Sequence, residues 1–153
     1  MSDSPRHSVS VAAAIFDDSG ENVLLIKRRD NGRWEPPGGV LELEETIEDG
    51  LRREVREETG AEIQVGPLTG VYKNMAGGIV ALVFAARSAT EPQSDTAEAF
   101  AVRWVPLSEI DGLMTPAYST RIRDALGSHA GRPTVRSHDG RNLLPRSTMG
   151  DRT

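Results

Sequence analysis

Arg53, Glu54, Glu57 and Glu58 are the residues of this chain best placed to do chemistry together. A helical residue advances about 100° around the axis. With Glu54 at zero, Glu57 falls near 300° (about), Glu58 near 40° and Arg53 near 260°, so three carboxylates and a guanidinium share roughly 140° of arc. Like charges at i, i+3 and i, i+4 destabilise a helix by a few tenths of a kcal/mol each, about 0.2–0.5. A hard divalent cation with oxygen ligands removes that cost and makes the cluster a site. The run R-E-x-x-E-E alone is weak, because charge runs on helices are usually solvated. The longer array is specific: Gly39, Glu45, Arg53, Glu54, Glu57, Glu58 and Gly60 stand as G-x5-E-x7-R-E-x-x-E-E-x-G, with apolar Val55 and Ala61 in the two remaining slots. Seven fixed residues match a random window on the order of once in 10^8.

The surrounding elements must hold this face beside an open rim. Residues 8–16 read as a buried strand, Asp17-Asp18-Ser19-Gly20 as a turn, and residues 22–27 as the returning strand. Residues 28–37 form a polar loop ending in Pro36-Pro37-Gly38-Gly39, where prolines forbid helix and glycines permit close backbone. The helix starts near Thr46, which with Asp49 makes a capping box, and stops at Gly60. Ile47, Leu51 and Val55 make an apolar stripe beside the carboxylates, for packing on a sheet. Strands are expected at 62–65, 70–73, 79–86 and 100–105, with a loop at 91–95. A short helical turn follows at 106–113 and a closing helix at 116–126, with Pro116 in its first turn and Gly127 just past its end. From Gly127 the composition shifts to Gly, Pro, Arg and Ser without period, which reads as a tail.

At 153 residues the chain is one domain with room for a sizeable core. A hydrophobic content of 37% with 27% charged residues is that of a soluble globular protein. No apolar run reaches the roughly 20 residues of a membrane span, and the N-terminus lacks a signal-peptide core, so a cytoplasmic location is the default. With no cysteine there is no disulfide, thiol nucleophile or thiolate-bound zinc. His7, His129 and His138 lie in terminal segments and read as surface residues. The net charge of −5 hides an asymmetry: residues 127–153 carry five Arg and two Asp, leaving an acidic body. That argues against general nucleic-acid binding but not against a nucleotide substrate, because bound cations invert the local field.

The array from Gly39 to Ala61 resembles the Nudix box, the signature of Nudix hydrolases, and Trp34-Glu35-Pro36-Pro37-Gly38-Gly39 is similar to the family's usual run into it. One departure is Gly50, where many members carry Ala. Glycine there costs up to about 1 kcal/mol of helix propensity and is expected to leave the metal face at least as roomy. The resemblance covers roughly residues 8–126. It implies an α/β fold, an α/β/α sandwich with a mixed central sheet, with a hydrolase domain over 1–126 and a C-terminal tail over 127–153. It also implies hydrolysis of a pyrophosphate bond in a nucleoside diphosphate derivative, with Mg²⁺ or Mn²⁺ held by Glu54, Glu57 and Glu58 and completed by the Gly38 carbonyl. Glu54 is the candidate base or water-orienting group, Arg53 its orienting partner, and Glu45 a tie to the preceding loop. Some relatives use a glutamate far from the box; here Glu98, just before a strand, is the candidate, with a solvated loop glutamate as the alternative.

For substrate contacts, Lys27, Arg28 and Arg29 precede the loop, where one could reach a phosphate, or they are simply exposed strand-end cations. Trp34 and Tyr72 are candidates for stacking on a base, though Trp34 equally suits a plug beneath the loop. Ala76-Gly77-Gly78 stands where ADP-ribose-type members commonly carry Pro and dinucleoside-polyphosphate types Tyr. That tilts the expectation toward a (deoxy)nucleoside triphosphate, with ADP-ribose or a nucleotide sugar as alternatives. A non-catalytic ligand sensor of the same fold is the reading from another class, disfavoured because every box glutamate is kept. An isomerase of the isopentenyl-diphosphate type needs a cysteine that is absent. Many relatives are dimers, so the resemblance admits a homodimer.

Overall fold

The structure is a computed structural model that describes residues 3–127 and 131–146. Strands β1 (Ser8–Phe16) and β2 (Asn22–Arg28) form where apolar residues run on both faces. β3 (Trp34–Glu35) and β4 (Gly38–Val40) lie within the loop and its approach, which the prolines were expected to leave irregular. Helix α1 (Ile47–Thr59) begins where the Thr46 hydroxyl accepts from the Asp49 N–H at 3.2 Å and ends at left-handed Gly60. Next come β5 (Ile63–Asn74), β6 (Ile79–Ser88) and β7 (Ala99–Pro106). A 3₁₀ turn (Leu107–Glu109) leads into α2 (Ile110–Leu113), followed by α3 (Pro116–Leu126) and β8 (Thr134–His138). The two strands expected at 62–65 and 70–73 are one continuous β5, whose pairing with β6 shifts register between Val65 and Gly70.

One eight-stranded sheet runs β3-β2-β1-β6-β5-β8, with β4 also on β1 and β7 also on β2. β1/β6 and β5/β8 are parallel and the other pairs antiparallel, so the sheet is mixed. Alternation along the strands separates two cores. Val11, Ala13, Ile15, Leu24 and Ile26 pack with Leu51 and Val55 of α1. Ala12, Ala14, Val23 and Leu25 pack with Ile110 and Ile122 on the opposite face. Ile47, expected in the buried stripe of α1, is 42% exposed, because it opens the helix beyond the edge of the core.

The expected tail contributes the last strand of the sheet. β8 runs parallel to β5, with Gly70 opposite Thr134 and Asn74 opposite His138. Its inward residues are polar: Thr134 and His138 are buried, whereas Val135 is 64% exposed. His138 is therefore an interior residue, not a surface one, while His7 is exposed and His129 lies outside the described residues. No helix among the described residues is long and apolar enough to cross a membrane.

Candidate active site

Arg53 organises the box. Its Nε and Nη2 donate to the two oxygens of Glu45 at 2.8 and 2.6 Å, and Nη1 donates to Glu54 at 3.0 Å and Glu57 at 3.2 Å. Glu45 also accepts from the Glu42 N–H at 2.9 Å, which ties the preceding loop to the helix. The Arg53 guanidinium and the Glu42 N–H hold the Glu45 carboxyl down to about 2, so it stays ionised in its role as clamp. Arg53 thus bridges the loop and two of the helix carboxylates at once.

Glycines allow the close approach. A Cβ on Gly39 would sit 2.5 Å from the Glu54 carboxylate, and one on Gly38 would overlap the Val11 carbonyl of β1. The Gly38 N–H donates to Glu58 Oε1 at 2.9 Å. Gly50 stands one turn before Glu54, and a Cβ there would lie 2.5 Å from Leu41 Cδ1 and 2.8 Å from Glu45 Oε1. The departure at Gly50 therefore makes room for the loop, not for a metal.

Glu54 and Glu58 are the electrostatically tense pair. Burial raises the Glu54 carboxyl above its ordinary range, against the opposing pull of Arg53. Burial, aided by the charges of Glu54 and Glu35, pushes Glu58 up to about 8 despite the Gly38 hydrogen bond. Glu57 is more exposed and is held through Arg53. As the side chains stand, no three acidic or histidine groups among the described residues converge on one cation-sized point. The donor set nonetheless suits a hard divalent cation: its members are carboxylate oxygens, and two of them are desolvated beside like charge.

The distant residues divide. Glu98, 44 positions after Glu54, lines a cleft of about 380 Å³ with Glu54, Glu58, Gly38, Arg28 and Arg29. Arg28 is committed to Asp30 at 2.8 Å and Glu35 at 3.0 Å. Arg29 donates to the Thr96 carbonyl at 2.8 Å and has no carboxylate partner among the described residues. Its guanidinium, like the Lys27 ammonium, lies near the Phe100 ring. Trp34 is half-buried against the α3-side core, under the Arg103 guanidinium at 5.1 Å. Tyr72 is a correction: it is fully buried, and its hydroxyl donates to Asp124 Oδ2 at 2.7 Å, so its ring cannot meet a base.

A family description of the NUDIX domain matches residues 6–125. The chain belongs to the Nudix family. A MutT-like protein of Streptomyces ambofaciens is 50% identical over 92% of this chain and 90% of its own length. An ADP-ribose pyrophosphatase of Methanocaldococcus jannaschii is 38% identical over 50% of this chain and 48% of its own. A putative 8-oxo-dGTP diphosphatase of Bacillus subtilis is 28% identical over 74% of this chain and 76% of its own. Among solved structures, a NUDIX hydrolase from Nitrosomonas europaea aligns at a TM-score of 0.71 and 26% identity, covering 84% of this chain and 93% of that one. The protein is thus an enzyme of the Nudix pyrophosphohydrolase class, in which use of a divalent cation is general.

Sequence reasoning missed a second cleft, on the other side of β4. Gly38, Gly39, Val40 and Arg28 line both clefts, and the second is completed by Asn74, Tyr118 and Arg121. The available signal was positional: on a helical wheel Arg121 falls between Ala117 and Ala125, inside the apolar arc of α3.

Proposed function

We propose that this enzyme hydrolyses a pyrophosphate bond of a (deoxy)nucleoside triphosphate, using Mg²⁺ or Mn²⁺. The observation that carries the reading is the cleft in which Glu98 joins Glu54 and Glu58. Glu54, Glu57, Glu58 and the Gly38 carbonyl would hold the cation, which supplies charge neutralisation and polarisation of the phosphoryl group. Glu54 takes a proton from, or orients, the attacking water. Its raised basicity suits that task, and Arg53 fixes the carboxylate in place. A water oxygen bonds to phosphorus, the bridging oxygen leaves, and Arg29 sits where it can offset the charge that accumulates. Positioning and electrostatics carry such a reaction, so no protein nucleophile is needed. The Bacillus subtilis relative, named for a nucleoside triphosphate, supports this substrate class. The ADP-ribose pyrophosphatase relative supports the second reading, hydrolysis of ADP-ribose or a nucleotide sugar.

The test is a screen of nucleoside triphosphates (oxidised ones included), ADP-ribose and nucleotide sugars with each cation, with the products separated. Glu54→Gln is expected to lower turnover on the best substrate by on the order of 10²–10⁴-fold while leaving the melting temperature intact. Glu98→Gln is expected to slow turnover and shift its cation dependence. A parental rate in Glu54→Gln would remove Glu54 from the machinery. An unchanged cation dependence would return Glu98 to an ordinary loop residue.

A further inference from the structure

The segment between β6 and β7, residues 89–98, forms neither helix nor strand, yet it is bound closely to the box helix. The last carbonyls of a helix have no partner within it. Here the loop supplies donors to two of them. The Gln93 N–H donates to the Thr59 carbonyl at 2.8 Å, and the Thr96 hydroxyl donates to the Glu58 carbonyl at 2.8 Å. The loop's first residues are fixed separately, with the Ala89 N–H on the Glu62 carbonyl at 2.7 Å and the Glu62 N–H on Thr90 Oγ1 at 2.9 Å.

Half-buried Thr96 is the point at which this loop meets the site. Its N–H donates to the Ala99 carbonyl at 3.1 Å, and its Oγ1 accepts from the Ala99 N–H at 3.0 Å. Those two bonds close a bend with Ala97 and Glu98 at its tip. The Thr96 carbonyl receives Nη2 and Nε of Arg29 at 2.8 and 3.3 Å. Every polar group of the residue is thus engaged. A hydroxyl that serves only to cap a helix has no need of the second bond, to the amide just beyond Glu98.

Glu98 has no such support of its own. It is exposed, and no hydrogen bond or ion pair among the described residues holds its carboxylate. It nevertheless lines the cleft with Glu54 and Glu58, so its reach is set by where the backbone of the bend stands. Two residues of chain span at most about 7 Å, and a displacement of Thr96 is passed to Glu98 with little slack. The anchor also has the right chemistry. Two carboxylates bond directly to each other only when one is protonated. A hydroxyl on the Glu58 main chain brings both acids to one cleft and leaves their oxygens for a cation.

We infer that Thr96 is a positioning residue, whose hydroxyl, bonded to the Glu58 carbonyl, fixes Glu98 against the box carboxylates. The inference rests on the reading above that Glu98 joins Glu54 and Glu58 in holding the cation. It makes the box helix the template for a ligand that the helix does not itself carry.

The experiment compares the parent with Thr96→Val, Thr96→Ser, Glu98→Gln and the double variant Thr96→Val with Glu98→Gln. Thr96→Val keeps the side-chain shape and the carbonyl that holds Arg29, and removes the hydroxyl. Mn²⁺ affinity of the metal-free protein is measured by calorimetry, beside kcat on the best substrate of the screen above. Groups that orient a metal ligand contribute about 10- to 100-fold in affinity or activity. Thr96→Val is expected to weaken Mn²⁺ binding within that range and to match Glu98→Gln, and Thr96→Ser to restore it. The double variant is expected to bind no more weakly than Glu98→Gln alone, because both changes break one interaction. Thr90→Val removes a hydroxyl at the other end of the loop and is expected to lower the melting temperature without changing Mn²⁺ affinity.

Losses that multiply in the double variant overturn the inference. So does an equal loss of Mn²⁺ affinity in Thr90→Val, which would mean general loosening of the loop. Should Thr96→Val not fold, hydrogen exchange at the Ala99 amide tests the same link in the parent. A cation held through Glu98 must in return stabilise the bonds that position it. Mg²⁺ is therefore expected to slow that exchange by at least about 5-fold in the parent and not in Glu98→Gln. Equal exchange with and without Mg²⁺ overturns the inference. Parental affinity and rate in Glu98→Gln overturn the Glu98 reading and this inference with it. An impaired Glu98→Gln beside an unimpaired Thr96→Val overturns this inference alone.

Discussion

The two clefts flanking β4 carry opposite excess charge. On the α1 side, Glu54 and Glu58 are desolvated beside each other, and the nearest strong cation, Arg53, reaches Glu54 but is shared with Glu45 and Glu57. On the α3 side, Arg121 is a buried cation whose neighbouring carboxylates pair with other arginines. A protein selected for stability alone would pair these groups with one another, since buried charges persist when matched. Here the strand Gly38–Val40 keeps them on separate sides. Nearby, buried Tyr72 and Asp124 and half-buried Arg136 form a polar cluster in which each member finds a partner. The contrast separates polar groups that hold the fold from polar groups kept for what binds.

The acidic half of this comparison gives the largest expected effect on stability. Glu58 has a carboxyl raised to about 8 in the folded chain, against 4.5 for the free side chain. Between those values the folded state binds more protons than the unfolded state, so in metal-free protein stability falls as pH rises through that window. Glu58→Gln keeps an oxygen for the Gly38 N–H and removes the titration. The variant is expected to exceed the metal-free parent at pH 8 by on the order of a few kcal/mol, with the difference closing below pH 4.5. Urea unfolding in chelator across pH measures it. Curves that stay parallel at every pH would mean that Glu58 is not an unfavourably buried acid.

The acidic half was also the legible half. Its residues sit on one helix, so a fixed angular step converts spacing into a face, and Thr46 and Gly60 mark where that helix begins and ends. The sheet pattern was equally open to reading where strands alternate apolar residues between two cores, as in β1 and β2. β8 was hidden because its alternation is inverted, with Thr134 and His138 inside and Val135 outside. A polar seam against α3 replaces hydrophobic contact there, and hydrophobic periodicity cannot see it. Gly50 hid its contacts for a related reason. Its neighbour Leu41 lies nine residues back in the loop, a contact set by the fold and not by helical geometry. Glu98 and Arg121 reach their clefts through tertiary packing, so no local spacing announces either of them together with its surroundings.

Gly38 and Gly39 sharpen the comparison at its boundary, because adjacent residues of the same type should fail differently. A Cβ on Gly38 meets the backbone of Val11 and Ala12 in the neighbouring strand, which cannot yield without moving β1. Gly38→Ala is expected to cost about 1–3 kcal/mol of stability, the usual penalty for overpacking. A Cβ on Gly39 first meets the end of the Glu54 side chain. Gly39→Ala should leave thermal stability nearly unchanged while displacing Glu54, and a displacement of about 1 Å can cost on the order of 10²-fold in rate. Melting curves and steady-state rates on both variants make the distinction. Equal destabilisation by the two would show that Glu54 is locked by the fold and not poised at its surface.

Tyr72 provides the smallest and most local test, on the satisfied side of α3. Its hydroxyl donates to Asp124 alongside Nε and Nη2 of Arg136. Tyr72→Phe removes that hydroxyl but retains the ring that fills the core and lies 5.0 Å from the Arg121 guanidinium. Asp124 keeps its bidentate arginine, so no buried acceptor is stranded. The expected loss is about 1 kcal/mol, the net worth of one ordinary hydrogen bond, with substrate affinity unchanged. Chemical denaturation gives the first quantity and KM the second. A large rise in KM with little loss of stability would place Tyr72 in contact with substrate and require the α3 side to open in solution. A loss well above the cost of one bond would mean that the Asp124 cluster is cooperative, with the tyrosine holding Arg136 as well as the carboxylate.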